Sequence, residues 1–295
     1  MTHEISVGLV QQSFTANTNL NLDQTIDHIR TLAKQGAQLV VLPELHRSLY
    51  FCQTENKDNF SLAEPIPGPT TEALSSVASE LSLVIVASLF ERRAKGLYHN
   101  TAVVIERTGD IAGIYRKMHI PDDPGYYEKY YFTPGDLGFK AIDTSVGKIG
   151  VIVCWDQWYP EAARLTALAG ADLIVIPTAI GWDPADTDDE KKRQRDAWIT
   201  IQRSHAIANG VPLVSCNRTG FEADPSNQTK GIEFWGSSFI AGPQGEILGE
   251  CSVDISTPLV VTVDLDHNEQ VRQTWPYFRD RRIDAYDKIT NRFSD

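Results

Sequence analysis

The chain has 295 residues, 42% of them hydrophobic and 22% charged, and its 39 acidic against 27 basic side chains give a formal net charge of -12. This is the composition of a folded globular protein rather than of a disordered or collagen-like chain. The excess of negative charge argues against nucleic acid and anionic membrane surfaces as partners, and no apolar run reaches the roughly 20 residues that a membrane-spanning helix needs.

In chain order, Val- and Ile-rich runs predict strands over Ile5–Val10, Leu39–Leu42, Leu83–Leu89, Thr101–Ile105, Ile149–Val153, Leu173–Ile176, Pro212–Ser215, Ser238–Ile240 and Leu259–Val263. Several are too uniformly apolar to face water on either side, as in a sheet held between other layers. Helical patterns fall between them over Leu20–Lys34, Thr70–Leu81, Pro160–Ala169 and Asp189–Asn209. Pro69 and Pro160 stand where a first turn tolerates proline, and Gly36, Gly170 and Gly210 where helices stop. Strand and helix alternate without a low-complexity linker, which predicts one α/β domain over residues 1–295. The segments Pro121–Gly138 and Gly181–Asp189 read as long functional loops. The tail, about residues 266–295, contains Trp275-Pro276-Tyr277-Phe278 and is expected to pack on its own subunit or a neighbour.

The opening MTHEISVGLV carries none of the three zones of a secretory leader. Four scattered cysteines, Cys52, Cys154, Cys216 and Cys251, suit neither a disulfide framework nor a zinc site. Both point to reduced thiols in the cytoplasm. The histidines show no metal-ligand spacing and no glycine-rich phosphate loop is present, so neither a metal nor another cofactor is expected. Gly242-Pro243-Gln244-Gly245 reads as a hairpin turn.

Three reactive residue types close apolar segments: Glu44 after LVVLP, Lys117 after IAGIYR and Cys154 after GKIGVIV. In α/β sheets ligands bind outside the carboxyl ends of strands, so the coincidence marks a site. Cys154 lies at a strand-turn-helix elbow, the arrangement that exposes a nucleophile among free backbone N–H groups. The alternative for a lone strand cysteine is an inert core thiol. Glu44 suits a general base and Lys117 an oxyanion holder, beside the N–H of Trp155; taken singly, each also fits a solvated surface charge. The five acids between Asp183 and Glu190 read as a solvated loop or as a pocket wall that attracts a cation.

These residues resemble the Glu-Lys-Cys triad of the nitrilase superfamily of carbon–nitrogen hydrolases. The motifs are VVLPEL, YRKMHIP and CWDQWYPE, in that order, and the similarity spans nearly the whole chain. The resemblance implies a four-layer αββα sandwich, a cysteine-thioester mechanism without cofactor, and a second catalytic glutamate matched by Glu128 in GYYEKYYFTPGD. YRKMHIPDDPGYYEKYYFTPGD, CWDQWYPEAAR and PTAIGW look most like the branch that converts N-carbamoylputrescine to putrescine, ammonia and carbon dioxide. Related hydrolases of carbamoyl amino acids grip a carboxylate with arginines just after the nucleophile; Gln157 and Trp158 stand there instead. The expected partner is therefore a small molecule ending in an ammonium group, bound by Tyr50, Tyr126, Asp156, Trp158 and Trp182, with Tyr127 and Trp155 also near the mouth. Asp122, Asp123, Asp156 and Asp183 are the candidate acids for the ammonium. The family habit of pairing subunits implies a dimer-based homo-oligomer, up to an octamer. Two rivals stand beside this reading: another amidase, nitrile or carbamoyl-β-alanine hydrolase of the superfamily, and a non-catalytic member that binds a ligand or partner.

Overall fold

The computed structural model describes residues 3–294. Met1 and Thr2, on which the reading of the chain's start rests, and Asp295 at the end of the tail lie outside the described residues.

The first half of the chain builds one six-stranded sheet. Its strands are β1 (Glu4–Leu9), β2 (Leu39–Val41), β3 (Val84–Ala94), β4 (Leu97–Ile105) and β5 (Ile111–Arg116), with helices α1 (Thr18–Lys34) between β1 and β2 and α2 (Pro69–Leu81) between β2 and β3. β1, β2 and β3 run parallel, as strands joined through helices must, and β4 and β5 return antiparallel. The second half repeats the plan with β6 (Ala141–Thr144), β7 (Gly147–Val151), α3 (Pro160–Leu168), β8 (Leu173–Thr178), the two-residue β9 (Gly181–Trp182), α4 (Asp188–Asn209) and β10 (Leu213–Asn217). Then come β11 (Thr219–Glu222), β12 (Ile232–Trp235), β13 (Phe239–Ala241), β14 (Ile247–Glu250), β15 (Leu259–Asp264) and α5 (His267–Thr274). The second sheet has the order β14-β13-β10-β8-β7-β6, while β15 crosses back to the edge of the first sheet, β15-β1-β2-β3-β4-β5. β11, β12 and β9 form a small third sheet over one end.

The period-2 pattern of the strands decides the layering. In the first sheet Val7, Leu9, Leu39, Val41, Val84, Val86, Ala102 and Val104 point into one core with Ile149, Val151, Leu173 and Val175 of the second. The alternating residues Val40, Ile85, Ala87, Val103 and Ile105 point the other way, onto Ile29 and Leu32 of α1 and Leu74, Val77 and Ala78 of α2. On the far side Ala162 and Ala163 of α3 and Trp198 and Ala206 of α4 cover the second sheet. The result is the four-layer αββα sandwich that the resemblance implied. Gly150 shows how tightly the layers fit: a Cβ there would lie 2.2 Å from Thr166 Cγ2 of α3.

The sequence pattern found the long helices to within two residues and missed the short edges. β6, β9, β11, β12 and β14 are two to four residues long, too short to display a period. The predicted strand over Ile149–Val153 stops at Val151, because Cys154–Trp158 coil into a one-turn 3-10 helix before α3. In the tail, α5 docks through Asn268 Nδ2 on Asp172 O (2.7 Å) and the Arg272 guanidinium on Asn209 O (2.9 Å). Beyond it Ile283, Ile289 and Phe293 are exposed. Among the described residues no helix is long and apolar enough to cross a membrane.

Candidate active site

Glu44, Lys117 and Cys154 converge at one end of the two central sheets, Lys117 directly after β5 and Glu44 and Cys154 three residues past β2 and β7. Buried chain carries them: Val40 and Val41 of β2, and Ile152 and Val153 just past β7, are fully buried, and each such side chain contributes about 1.5–3 kcal/mol by leaving water. Glu44 is fully buried, and Oε1 accepts from Lys117 Nζ at 2.8 Å and from Asn100 Nδ2 at 2.6 Å. Its other oxygen, Oε2, is buried with no hydrogen-bond partner among the described residues. An unpartnered buried carboxylate oxygen is costly unless it has a proton to accept.

Lys117, 1% exposed, also donates to Glu128 Oε2 at 2.7 Å. Burial works against its charge, but the carboxylates of Glu128 and Glu44 more than offset this and hold its pKa well above the ordinary lysine range. The backbone at Lys117 is clamped too: its N–H donates to Asn100 O (2.9 Å) and its carbonyl accepts from Gly135 N (2.8 Å). Gly135 is required for that approach, since a Cβ would lie 2.0 Å from Arg116 O. Glu128 is fully buried; burial, partly countered by Lys117 and reinforced by Glu44, pushes its pKa up to about 7.

Cys154 has φ of 45°, left-handed backbone that a residue with a Cβ adopts at a cost of order 1–3 kcal/mol. The sharp turn brings the thiol to the cavity, where it is 5% exposed and lies 3.6 Å from Ala179 O. Burial, and then the charge of Glu44, push the thiol well above its ordinary range, with Lys117 pulling the other way. It rests as a thiol until something shares its proton. Trp155 is the second residue of the 3-10 turn, so its N–H belongs to those a helix start leaves without an intrahelical partner.

A cavity of about 430 Å³ opens onto Cys154 and Glu128, walled by Pro121, Tyr126, Trp155, Trp158, Ile180 and Trp235, with Asp123, Asp183 and Asp186 toward solvent. Tyr126 and Trp158 thus lie where a substrate-binding role needs them; Tyr126 is tied to Gly181, accepting from its N–H at 3.1 Å. Three expected binding residues lie elsewhere. Asp156 is fully buried behind the elbow, accepting from Val153 N (3.0 Å), Tyr115 Oη (2.8 Å), His119 N (2.9 Å) and His119 Nδ1 (2.7 Å). Two residues past Cys154 the one-turn helix points it back to the turn's own start, so it staples the elbow instead of meeting substrate. Tyr50, 1% exposed, donates to Glu128 Oε1 at 2.7 Å and stands behind that glutamate. Trp182 donates from Nε1 to Lys191 O (2.8 Å) and packs on Trp235, which takes the place on the cavity wall. Asp122 and Tyr127 are also absent from the wall, and Gln157 is buried against Trp198 Nε1 (2.9 Å).

Sequence reasoning missed Asn100 and Trp235, and it covered Asp186 only as one of the five acids between Asp183 and Glu190, read as a solvated loop or a pocket wall. Asn100 left a signal: it is a buried polar residue beside His99 and Thr101 within a strand that is otherwise apolar, and such groups are there to hydrogen-bond. Trp235 left none, because its place on the cavity depends on how β12 folds over the sheet ends.

The profile of the Carbon-nitrogen hydrolase family matches residues 6–273. An N-carbamoylputrescine amidase of Solanum lycopersicum is 42% identical over 284 residues, covering 96% of this chain and 93% of that protein. A citrullinase of Francisella tularensis is 41% identical over 290 residues, with 98% and 99% covered. Among solved structures, a carbon-nitrogen hydrolase from Helicobacter pylori G27 superposes with a TM-score of 0.96 at 51% identity, covering 99% of this chain and 100% of that one.

Proposed function

The chain belongs to the carbon-nitrogen hydrolase family and hydrolyses C–N bonds of amides, and from that premise we propose that it is an N-carbamoylputrescine amidohydrolase serving polyamine synthesis. The observation that carries the substrate is the cavity wall: among the described residues it holds three aspartates and four aromatic rings and neither lysine nor arginine. An alkyl chain ending in an ammonium group meets rings and carboxylates that both attract it. Citrulline, the substrate class of one similar protein, adds a carboxylate for which that wall offers no cation. Asp186 is the acid we assign to the ammonium: it is less exposed than Asp123 and Asp183, so solvent screens it less.

In the proposed reaction Glu44 Oε2 takes the Cys154 thiol proton as the sulfur attacks the carbamoyl carbon. Lys117 Nζ and the Trp155 N–H hold the oxyanion. The C–NH2 bond breaks, and ammonia departs with the proton from Glu44. Water, deprotonated by the same carboxylate, attacks the thioester and frees the thiol, and the released carbamate falls apart to putrescine and carbon dioxide. Glu128, held by Tyr50, fixes Lys117. We also propose that the chain is one catalytic domain working as a homo-oligomer, supported by the exposed Trp275, Ile283, Ile289 and Phe293 of the tail; light scattering tests this.

Steady-state kinetics on three substrates tests the specificity. N-carbamoylputrescine should exceed both citrulline and N-carbamoyl-β-alanine in kcat/KM by at least ~100-fold, about 2.7 kcal/mol, and Asp186→Asn should raise KM roughly tenfold with kcat little changed, since it removes binding common to ground and transition states. Equal turnover of a carboxylate-ended substrate would overturn the substrate assignment and leave the family intact.

A pH dependence follows from Glu128. Its pKa is raised to about 7, so acidification through neutrality protonates it and removes one of the two charges facing Lys117. The expected kcat/KM falls on the acid side with a limb near neutrality, and Glu128→Gln lowers activity and flattens that limb. A Gln variant keeping the wild-type limb would assign the titration to another group.

A further inference from the structure

Between Leu42 and Tyr50 the chain has neither strand nor helix, yet it carries Glu44 at one end and Tyr50, the partner of Glu128, at the other. Something other than a backbone ladder must hold it. Arg218, at the end of β10 and fully buried, points its guanidinium into the curve of this loop. Nη2 donates to Glu44 O at 2.8 Å and Leu45 O at 3.1 Å, and Nη1 to Ser48 O at 3.3 Å and Glu222 Oε1 at 2.8 Å. Glu222, in turn, accepts from Tyr50 N through Oε2 at 2.6 Å. The rings of Phe14, Phe234 and Tyr50 lie 4.5, 5.1 and 5.7 Å from the guanidinium carbon.

Leu45 explains why three carbonyls converge. Its φ of 51° is left-handed backbone, which curls the chain immediately after Glu44 and turns the carbonyls of residues 44, 45 and 48 inward. A planar fork of donors satisfies several at once, which an ammonium on a flexible stem does less well. A buried ion pair is weak support for stability, because desolvation consumes most of what the attraction returns. Here Arg218 Nε is left without a partner among the described residues, a further uncompensated cost. What the pair does supply is fixed geometry.

We propose that Arg218, anchored by Glu222, is the positioning residue that sets both carboxylates of the site: Glu44 through its own carbonyl, and Glu128 through Tyr50, whose hydroxyl holds Glu128 Oε1. The proposal rests on Glu44 and Glu128 being the working acids of the reaction proposed above. A misplacement of about 1 Å costs on the order of 100-fold in rate, so a loosened loop should lower kcat far more than it raises KM.

The test measures kcat, KM and the pH profile of N-carbamoylputrescine hydrolysis for Arg218→Met, Arg218→Lys and Glu222→Gln, with thermal unfolding of each and Glu44→Gln as control. Arg218→Met is expected to lose roughly 100-fold in kcat with KM within a few-fold, and to displace the acid limb. Arg218→Lys should recover at least tenfold of that loss, and Glu222→Gln should fall between. If Arg218→Met does not fold, Arg218→Lys and Glu222→Gln carry the test. Variants that lose only melting temperature, with kcat per folded molecule and acid limb unchanged, overturn the proposal. If Glu44→Gln stays active, the underlying mechanism is wrong; if it is inactive while the Arg218 and Glu222 variants are normal, only the positioning role is.

Discussion

Replacing Cys154 with serine is expected to abolish hydrolysis, with turnover of N-carbamoylputrescine falling by roughly 10⁴-fold or more, the scale seen when a hydrolase loses its nucleophile. The expectation has a local cause. The Cys154 thiol already sits above its ordinary pKa through burial and the nearby Glu44 charge, so in the proposed reaction proton removal falls to the free Glu44 oxygen. A hydroxyl begins several units higher still, and the same carboxylate cannot activate it to a comparable degree. The serine variant keeps its shape and should unfold within a few degrees of the wild type. The companion measurement is alkylation by a small haloacetamide followed by peptide mass mapping. Cys52 and Cys216 are fully buried and Cys251 is 8% exposed, away from the cavity wall, so the adduct should form on Cys154 alone. A serine variant with a tenth of normal turnover, or an inactivating adduct on another cysteine, would remove Cys154 from the role.

How much of this was legible in the sequence depends on the range of the interaction concerned. The layers were, because Val40 against Val41 or Val103 against Val104 alternate faces within the strand itself. So was the convergence of Glu44, Lys117 and Cys154, since each lies within three residues of a strand end and sheet topology brings strand ends together. The cavity wall was legible only in part: Tyr126, Trp155, Trp158, Asp123 and Asp183 stand on it as expected, and the other expected residues do not. Asp156 and Trp182 adjoin or resemble site residues in sequence, but the one-turn helix after Cys154 aims the first backward and β12 covers the second with Trp235. Tyr50 was expected to meet substrate and instead supports Glu128. A side chain's direction in a short 3-10 turn or a loop follows no period, so only coordinates resolve it. Arg218 was hidden for the same reason: 174 positions separate it from Glu44.

Removing the Lys117 cation should cost both activity and stability, with the second loss depending on pH. Lys117→Met takes away one of the two proposed oxyanion donors, which is expected to lower kcat by about 100- to 1,000-fold. It also leaves Glu44 and Glu128 buried beside one another without a counter-cation, where breaking a buried pair typically costs about 3–5 kcal/mol. Two such carboxylates cannot both stay ionised, so one takes up a proton in the folded variant. The folded state then binds more protons than the unfolded chain between the ordinary carboxyl range and the raised folded value. Stability in that window therefore falls as pH rises. The variant should be close to wild type in melting temperature near pH 5 and well below it at pH 8, a divergence that Glu128→Gln in the same background should narrow. Thermal unfolding of both variants at the two pH values reads this directly. Equal destabilisation at pH 5 and pH 8 would mean that Lys117 holds the site by packing rather than by charge, and near-normal turnover in the folded variant would take the oxyanion away from it.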